Sequence, residues 1–179
     1  LYRELKDELY ELSGIDLGFK KGGILKLAFC EQDQKQLAAM LEQPTVTWLE
    51  AAEVREIERD VTSDILGAAH IEEDINVLPI SVCQAFAKSA QVYGASIFEY
   101  TKVFRIQKQQ DTFRIETTNG IVEAKRVVIA SGVWGTPFFQ QLGLENQMIP
   151  VKGECIAVEG SNSLLKHTIF HDKYYIVPR

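Results

Sequence analysis

The sequence predicts a mixed fold, in which part of a doubly wound α/β domain is combined with an antiparallel sheet of the α+β type. The first observation is the run 126–130, Arg-Val-Val-Ile-Ala, which ends at Ser131-Gly132. A β-branched run of this kind is typical of a strand buried on both faces of a parallel sheet. The second is a series of short strand-like runs joined by turn residues, such as Asn119-Gly120, which indicates antiparallel pairing.

The composition argues against several classes of function. The net charge is −6, and no cluster of Lys and Arg offers a surface for nucleic acid. No apolar run approaches the roughly 20 residues that span a bilayer, and the start does not resemble a signal peptide. We therefore expect a cytoplasmic protein that binds neither nucleic acid nor membrane.

The cysteines and histidines do not indicate a metal or redox centre. The three cysteines form no Cys-x-x-Cys pair, and an odd number weakly favours a reducing compartment. The histidines lack metal-ligand spacing, apart from a loose pair at His167 and His171 that a strand would place on one face. Structural roles are the preferred interpretation for these residues.

The first part of the chain predicts alternating helices and strands. Leucines at positions 1, 5, 9 and 12 form the apolar stripe of a helix over residues 1–13, which Gly14 ends. The same reasoning predicts, in order, a strand at 24–29, a helix at 31–41, a short strand at 45–49, a helix at 50–59 and a strand at 65–71.

The second part begins with the clearest helix of the chain. Pro79 starts it and Gly94 ends it, and its predicted buried stripe consists of Val82, Phe86, Ala90 and Tyr93. Strands are then predicted at 95–100, 102–108, 112–118, 121–124 and 126–130, with a helix from Thr136-Pro137 to Gly143, and further strands after 150–153, at 168–170 and at 174–177.

The turn after the run 126–130 is a candidate ligand site. Gly132 can adopt backbone angles that other residues avoid and lets the main chain approach a ligand closely. Because ligands of open α/β sheets bind at the carboxyl ends of the strands, we expect a nucleotide-cofactor site at 130–135. The alternative is a buried strand and a tight turn with no ligand.

No Gly-x-Gly-x-x-Gly motif occurs in this sequence. Either the nucleotide interpretation is wrong, or the phosphate-binding loop belongs to a longer protein of which this chain is a central piece. The strand-like run at the end of the sequence favours the second explanation.

Several motifs in order resemble the glycine oxidase branch of the D-amino-acid-oxidase superfamily. They are Gly-Gly-Ile-Leu-Lys-Leu-Ala at 22–28, Val103 in its meander, Ala-Ser-Gly-Val-Trp at 130–134, Pro-Val-Lys-Gly-Glu-Cys at 150–155 and Tyr-Ile-Val-Pro-Arg at 175–179. The similarity runs over nearly the whole chain. It implies part of a Rossmann-like FAD-binding domain, at 1–14 and 75–145, interleaved with part of an antiparallel-sheet substrate domain, at 15–74 and 146–179.

The resemblance implies a flavoenzyme with FAD as its cofactor. Such an enzyme oxidises glycine and small amines by hydride transfer to the flavin, passes electrons to molecular oxygen and yields glyoxylate, ammonia and hydrogen peroxide, in a reaction linked to thiamine thiazole synthesis. A sarcosine or D-amino-acid oxidase and a non-catalytic module that retains the fold are the alternatives. The resemblance also implies a homo-oligomer at full length, with this piece alone inactive.

The resemblance assigns roles to six residues and implies no catalytic acid or base if the substrate amine binds neutral. Val103 contacts the adenine side of FAD through its backbone, and Tyr175 helps to hold the substrate carboxylate. The residues that line the cofactor at the strand end are Ala130, Ser131, Gly132 and Trp134. By residue type alone, Val103 is a strand residue and Trp134 is equally well explained as a packing residue.

Overall fold

The structure is a computed structural model that describes residues 2–145, 148–159 and 165–178. The chain divides into two compact units, residues 1–95 with 158–179, and residues 96–157. Residues 160–163, whose sequence Gly-Ser-Asn-Ser predicts a turn, lie outside the described residues. The elements of the first segment are α1 Tyr2–Ser13, β1 Lys20–Lys21, β2 Ile24–Ala28, α2 Glu31–Ala38, β3 Val46–Glu50, α3 Ala51–Ile57, β4 Gly67–Ile71, β5 Ile75–Asn76 and α4 Pro79–Val92.

The remaining elements follow in chain order. Residues 96–157 form β6 Val103–Lys108, β7 Phe113–Thr117, β8 Gly120–Ala124, a 3₁₀ helix Gly132–Gly135 and α5 Thr136–Gln141; the last segment returns to the first unit as β9 Thr168–His171 and β10 Tyr174–Ile176.

A mixed five-stranded sheet of order β10-β9-β2-β4-β3 forms the centre of the first unit. Strands β2 and β9 are parallel and the other neighbouring pairs are antiparallel. One face of the sheet packs against α3 through a buried cluster that includes Leu25, Leu27, Val54, Ala68 and Ile169. Because side chains alternate along a strand, Lys26 and Phe170 project from the opposite face.

The first unit has a second core between α1 and α4, formed by Leu9, Leu17, Val82 and Ala85. Gly14 ends α1 with a φ of 70°, and its N–H donates to the carbonyl of Tyr10. The predicted ends of both helices are therefore confirmed to within a residue or two.

The predicted buried stripe of α4 is only partly correct. Its buried residues are Val82, Ala85 and Ser89, whereas Phe86 and Tyr93 are 43% and 72% exposed. Residues three and seven positions after Val82 follow one helical face, and that face is the one that meets α1. The large side chains of Phe86 and Tyr93 lie outside this face.

The second unit contains the antiparallel meander β6-β7-β8. The hairpin predicted at Asn119-Gly120 is confirmed: Thr117 pairs with Gly120, which has a φ of 121°. The Thr117 hydroxyl donates to the carbonyl of Gly120 at 2.8 Å and accepts from the N–H of Asn119 at 3.1 Å. These side-chain bonds close the turn.

Three predicted strands do not occur in the structure. Residues 95–98 and 151–159 are irregular, residues 99–100 lie in a turn, and 126–130 run without strand pairing, with Val128 89% exposed. A strand exists only when a neighbour completes its hydrogen bonds, and none of the described strands pairs with 126–130. The prediction that 126–130 is a buried strand is therefore wrong for this structure.

Candidate cofactor and substrate site

The turn at 130–135 has the backbone geometry that its sequence predicts. Gly132 has a φ of 54°, in the left-handed region, and a Cβ placed on it would meet no atom within 4 Å. The turn continues as a 3₁₀ helix, in which the N–H of Trp134 donates to the carbonyl of Ser131 at 3.1 Å. Open space therefore faces the main chain at Gly132, which is what close approach of a ligand requires.

Gly135 fixes the far end of this turn. A Cβ on Gly135 would lie 3.1 Å from Ile129 Cγ2, from Phe139 Cε2 and from Ser131 Oγ. Such a distance is shorter than ordinary van der Waals contact, so glycine permits the close packing of these three side chains. Gly135 belongs to none of the motifs described above, although a second glycine three residues after Gly132 is a visible signal in the sequence.

Gln141 at the end of α5 connects the turn to the meander. Its Oε1 accepts from the N–H of Ile106 at 3.0 Å, and its Nε2 donates to the carbonyl of Phe104 at 3.3 Å. The side chain thus binds one donor and one acceptor on the outer edge of β6. No local pattern marks Gln141, because its partners lie 35 and 37 residues away.

Val103 lies at the start of β6, an edge strand of its sheet. The carbonyl of Lys102 accepts from the N–H of Thr118 at 2.9 Å, so Lys102 bonds towards β7. The pairing of β6 with β7 shifts register between Val103 and Arg105, so a β-bulge lies at the position of Val103. Bulges locally interrupt the hydrogen bonds of a ladder and are common beside binding sites.

The residues predicted to line the cofactor are accessible. Ala130, Ser131 and Gly132 are exposed, and the Trp134 side chain is 81% exposed. Within the part of the chain that the structure describes, Trp134 is therefore not a packing residue. The structure brings these residues together in one turn, and Gln141 connects the helix after that turn to the strand of Val103.

Tyr175 belongs to the first unit and is described within it. It pairs with Phe170 across β9 and β10, and the two rings stack at 17° with centroids 4.9 Å apart. The Lys26 ammonium lies 5.7 Å from the Phe170 ring centroid, and Lys26 pairs with Phe170 across β2 and β9. All three side chains share the sheet face opposite the α3 core.

Neither Lys26 nor Phe170 is among the site residues that the sequence predicts. Lys26 interrupts the apolar strand Ile24–Ala28, and a cation at an alternating position was the available signal. Tyr175 is 61% exposed, so its phenol is accessible to a small molecule. Tyr174 points to the other face of β10, where Lys173 Nζ lies 5.7 Å from its ring centroid.

Neither a metal centre nor a membrane span emerges from the described ranges. No group of three or more His, Cys, Asp or Glu side chains there has the arrangement of a metal site. No helix in those ranges combines the length and apolar character needed to cross a bilayer.

Comparison with known proteins identifies the family. The profile of the FAD dependent oxidoreductase family, DAO, matches residues 1–179. The chain belongs to the DAO family. Its predicted family and its mixed α/β fold class are thereby confirmed, together with the dependence of that family on FAD.

The DAO-family relatives include glycine oxidases. Glycine oxidase of Bacillus subtilis (strain 168) is 46% identical over 179 residues, which cover 100% of this chain and 48% of that protein. The crystal structure of glycine oxidase from Geobacillus kaustophilus superposes with a TM-score of 0.93 at 35% identity, over 100% of this chain and 50% of the other.

A more distant relative carries a second function in its name. The bifunctional protein ThiO/ThiG of Trichormus variabilis (strain ATCC 29413 / PCC 7937) is 26% identical over 186 residues, covering 100% of this chain and 28% of that protein. The chain thus spans about half the length of the glycine oxidases that it matches.

Proposed function

We propose that the protein to which this chain belongs is an FAD-dependent amine oxidase that oxidatively deaminates glycine and small amines. The observation that carries the proposal is the 46% identity to a glycine oxidase over the whole chain. Loss of a hydride from glycine leaves an imine that water hydrolyses to glyoxylate and ammonia, and molecular oxygen takes up the two electrons to give hydrogen peroxide. When FAD is bound, its flavin supplies the acceptor for the hydride of the substrate α-carbon.

The cofactor-binding part of the proposal rests on the second unit. The main chain of Val103 binds the adenine side of FAD; in support of this assignment, Val103 begins β6, an edge strand of the meander, and lies at a β-bulge. Ala130, Ser131, Gly132 and Trp134 line the cofactor, and the positive φ of Gly132 lets the main chain approach it. We assign these residues, with 1–14 and 75–145, to an FAD-binding domain.

The substrate-binding part of the proposal rests on the sheet face of the first unit. The Tyr175 hydroxyl donates to the substrate carboxylate, and stacking on Phe170 holds the phenol ring in place. A hydrogen bond to a charged group contributes about 1.5–3 kcal/mol. We assign residues 15–74 and 146–179 to a substrate-binding domain.

The likeness to a bifunctional ThiO/ThiG protein supports a link to thiamine thiazole synthesis. A cytoplasmic location and a homo-oligomeric state at full length complete the proposal. Oxidation of sarcosine or a D-amino acid is the second candidate, because residues outside this chain also shape the pocket: the chain covers only 48% of a related glycine oxidase.

The test is an amine-oxidase assay on the full-length gene product that contains this chain. Flavin absorbance and peroxide release are recorded with glycine, sarcosine and D-alanine. Bound flavin with glycine as the best substrate supports the proposal, and a different best substrate replaces glycine with that amine. A colourless protein that oxidises none of the three overturns it.

A Tyr175→Phe variant tests the substrate contact. It retains the ring that stacks on Phe170 and removes only the hydroxyl, so we expect kcat/KM for glycine to fall roughly tenfold or more, mainly through KM. Tyr174→Phe is the matched control, because Tyr174 lies on the other face of β10. Equal kinetics of the two variants would remove Tyr175 from the carboxylate site.

A further inference from the structure

Glu58 is a buried carboxylate that contacts a distant part of the chain. The residue is 1% exposed and directly follows α3. Its Oε1 accepts from the N–H of Lys166 at 2.7 Å and from the N–H of His167 at 2.6 Å. The same oxygen lies 2.7 Å from Nδ1 of His167. These three contacts join positions 108 and 109 residues apart.

The contacts satisfy Glu58 at a depth where an unpaired charge is costly. The His167 side chain is 16% exposed, and its Nδ1 can donate to Glu58 in either charge state of the ring. The His70 ring meets the His167 ring edge-on, with centroids 5.4 Å apart. A carboxylate with this many partners therefore fixes the backbone at 166 and 167 firmly.

Residues 166 and 167 directly precede β9. Thr168 follows immediately: its N–H donates to the carbonyl of Gly23 at 3.1 Å, and its hydroxyl accepts from Asn76 Nδ2 at 2.9 Å. Strand β9 has four residues, and β10 has three. In the described sheet β10 is an edge strand that pairs only with β9. The location of Tyr175 in β10 thus depends on the location of β9.

We propose that Glu58 is a positioning residue for Tyr175, acting through His167, β9 and β10 on the binding of the substrate carboxylate. This inference rests on the proposed function, since it takes Tyr175 as a carboxylate ligand. Glu58 itself lies with the core of the sheet and makes no contact with substrate. Its buried carboxylate sets the register and height of the short hairpin whose outer strand carries the phenol.

The experiment uses the full-length holoenzyme with Glu58→Ala, Glu58→Gln and, as matched control, Glu56→Gln. Glu56 is exposed on α3, two residues from Glu58. We expect Glu58→Ala to raise KM for glycine about tenfold with little change in kcat, because it displaces Tyr175, the proposed ligand of the substrate carboxylate, and leaves the flavin in place. Glu58→Gln retains an oxygen acceptor for both N–H groups, and we expect it to restore most of the affinity.

A double-variant cycle separates positioning from a general loss of stability. If Glu58 acts through the Tyr175 hydroxyl, combining Glu58→Ala with Tyr175→Phe raises KM by much less than the product of the two single effects. Multiplicative effects, or an unchanged KM in Glu58→Ala, overturn the proposal. If Glu58→Ala does not fold, the same cycle is carried out with Glu58→Asp, whose shorter side chain displaces its partners at 166 and 167 without removing the carboxylate, and the same outcomes decide.

Amide hydrogen exchange distinguishes failure of this inference from failure of the proposed function. We expect faster exchange at residues 174–176 in Glu58→Ala than in Glu56→Gln, whether or not any amine is oxidised. If the wild-type protein oxidises no amine but this exchange difference is present, the proposed function fails and Glu58 still positions β10. Unchanged exchange at 174–176 overturns the positioning role.

Discussion

At the scale of single residues, the backbone of Gly132 carries the most specific signal of the proposed cofactor site. Its φ of 54° is in the region that other residues enter at a cost of about 1–2 kcal/mol. The space in front of it is open, so a methyl group would meet no described atom but would point into the space proposed for FAD. A side chain at position 132 would therefore strain the backbone and also obstruct the proposed binding of FAD.

We expect Gly132→Ala to lower the free energy of unfolding by about 1–2 kcal/mol and to reduce flavin occupancy. Gly153→Ala is the matched control, because Gly153 has no positive φ and also no atom within 4 Å of an added Cβ. Denaturant unfolding and the ratio of flavin to protein absorbance are the measurements. Full flavin occupancy in Gly132→Ala would contradict the assignment of Gly132 to the cofactor site.

His70 provides a pH-dependent prediction at the same scale. Burial lowers the pKa of His70 below its ordinary value of 6.5, and the neighbouring charge of His167 lowers it further, while Glu72 opposes both. The His70 Nε2 is buried and has no hydrogen-bond partner among the described residues. The unfolded chain therefore binds a proton at His70 more tightly than the folded chain does. Neutral His70 thus contributes to the stability of the folded chain above about pH 6.5, and this contribution is lost as the pH falls below that value.

We expect His70→Phe to be less sensitive to acid than the wild type, because Phe keeps an aromatic ring beside His167 but cannot take up a proton. The measurement is the midpoint of denaturant unfolding at about pH 7 and about pH 5.5. The wild-type midpoint should fall further than that of the variant. An equal fall in both proteins would show that His70 does not carry the acid sensitivity.

At the scale of elements, the Gln141 side chain joins α5 to β6. Gln141→Leu removes both hydrogen bonds to β6, and we expect a loss of about 1 kcal/mol in the free energy of unfolding because water replaces part of them. Flavin occupancy should fall with it, since the edge of β6 carries Val103. Gln140→Leu, at an exposed neighbouring position of α5, is the control, and equal effects of the two would contradict the role of Gln141.

The elements that could be predicted are those whose signals are local. Helix α1 has its apolar stripe and Gly14, and the β7–β8 hairpin has Asn119-Gly120; each signal lies within the element it specifies. Residues 126–130 have the composition of a buried strand, but composition cannot supply the neighbour that pairing requires. Local signals thus predict whether a segment is a helix or a hairpin, but they do not predict which strand pairs with which.

The same distinction applies to the candidate site. Gly132 and its turn were predictable, because a β-branched run that ends at glycine is itself the signal. Gln141 and Glu58 were not, since each acts on residues 35 or more positions away. The proposed roles of Val103 and Tyr175 came from family resemblance, and the structure adds the edge-strand position of Val103 and the ring stacking of Tyr175 on Phe170.

At the scale of the whole molecule, the surface of this chain is unusual for a soluble domain on its own. Val128, Val151, Ile156 and Val158 are all more than four-fifths exposed in the structure. Isolated apolar residues on a surface are ordinary, but several side chains with this exposure are typical of a surface that packs against other protein, and Val128, Val151 and Ile156 all belong to the second unit. The chain also spans only about half the length of its glycine oxidase relatives.

We therefore expect residues 1–179, expressed alone, to bind FAD weakly and to release no peroxide from glycine. The sequence has no Gly-x-Gly-x-x-Gly loop to hold the pyrophosphate of a dinucleotide, so this chain offers FAD the proposed contacts of Val103 and of the turn at Gly132 without that loop. Flavin absorbance after gel filtration and a peroxide assay are the measurements, with the full-length product as the control. A yellow, active preparation of residues 1–179 would contradict this expectation, because the binding energy for FAD would then reside within the two units described above.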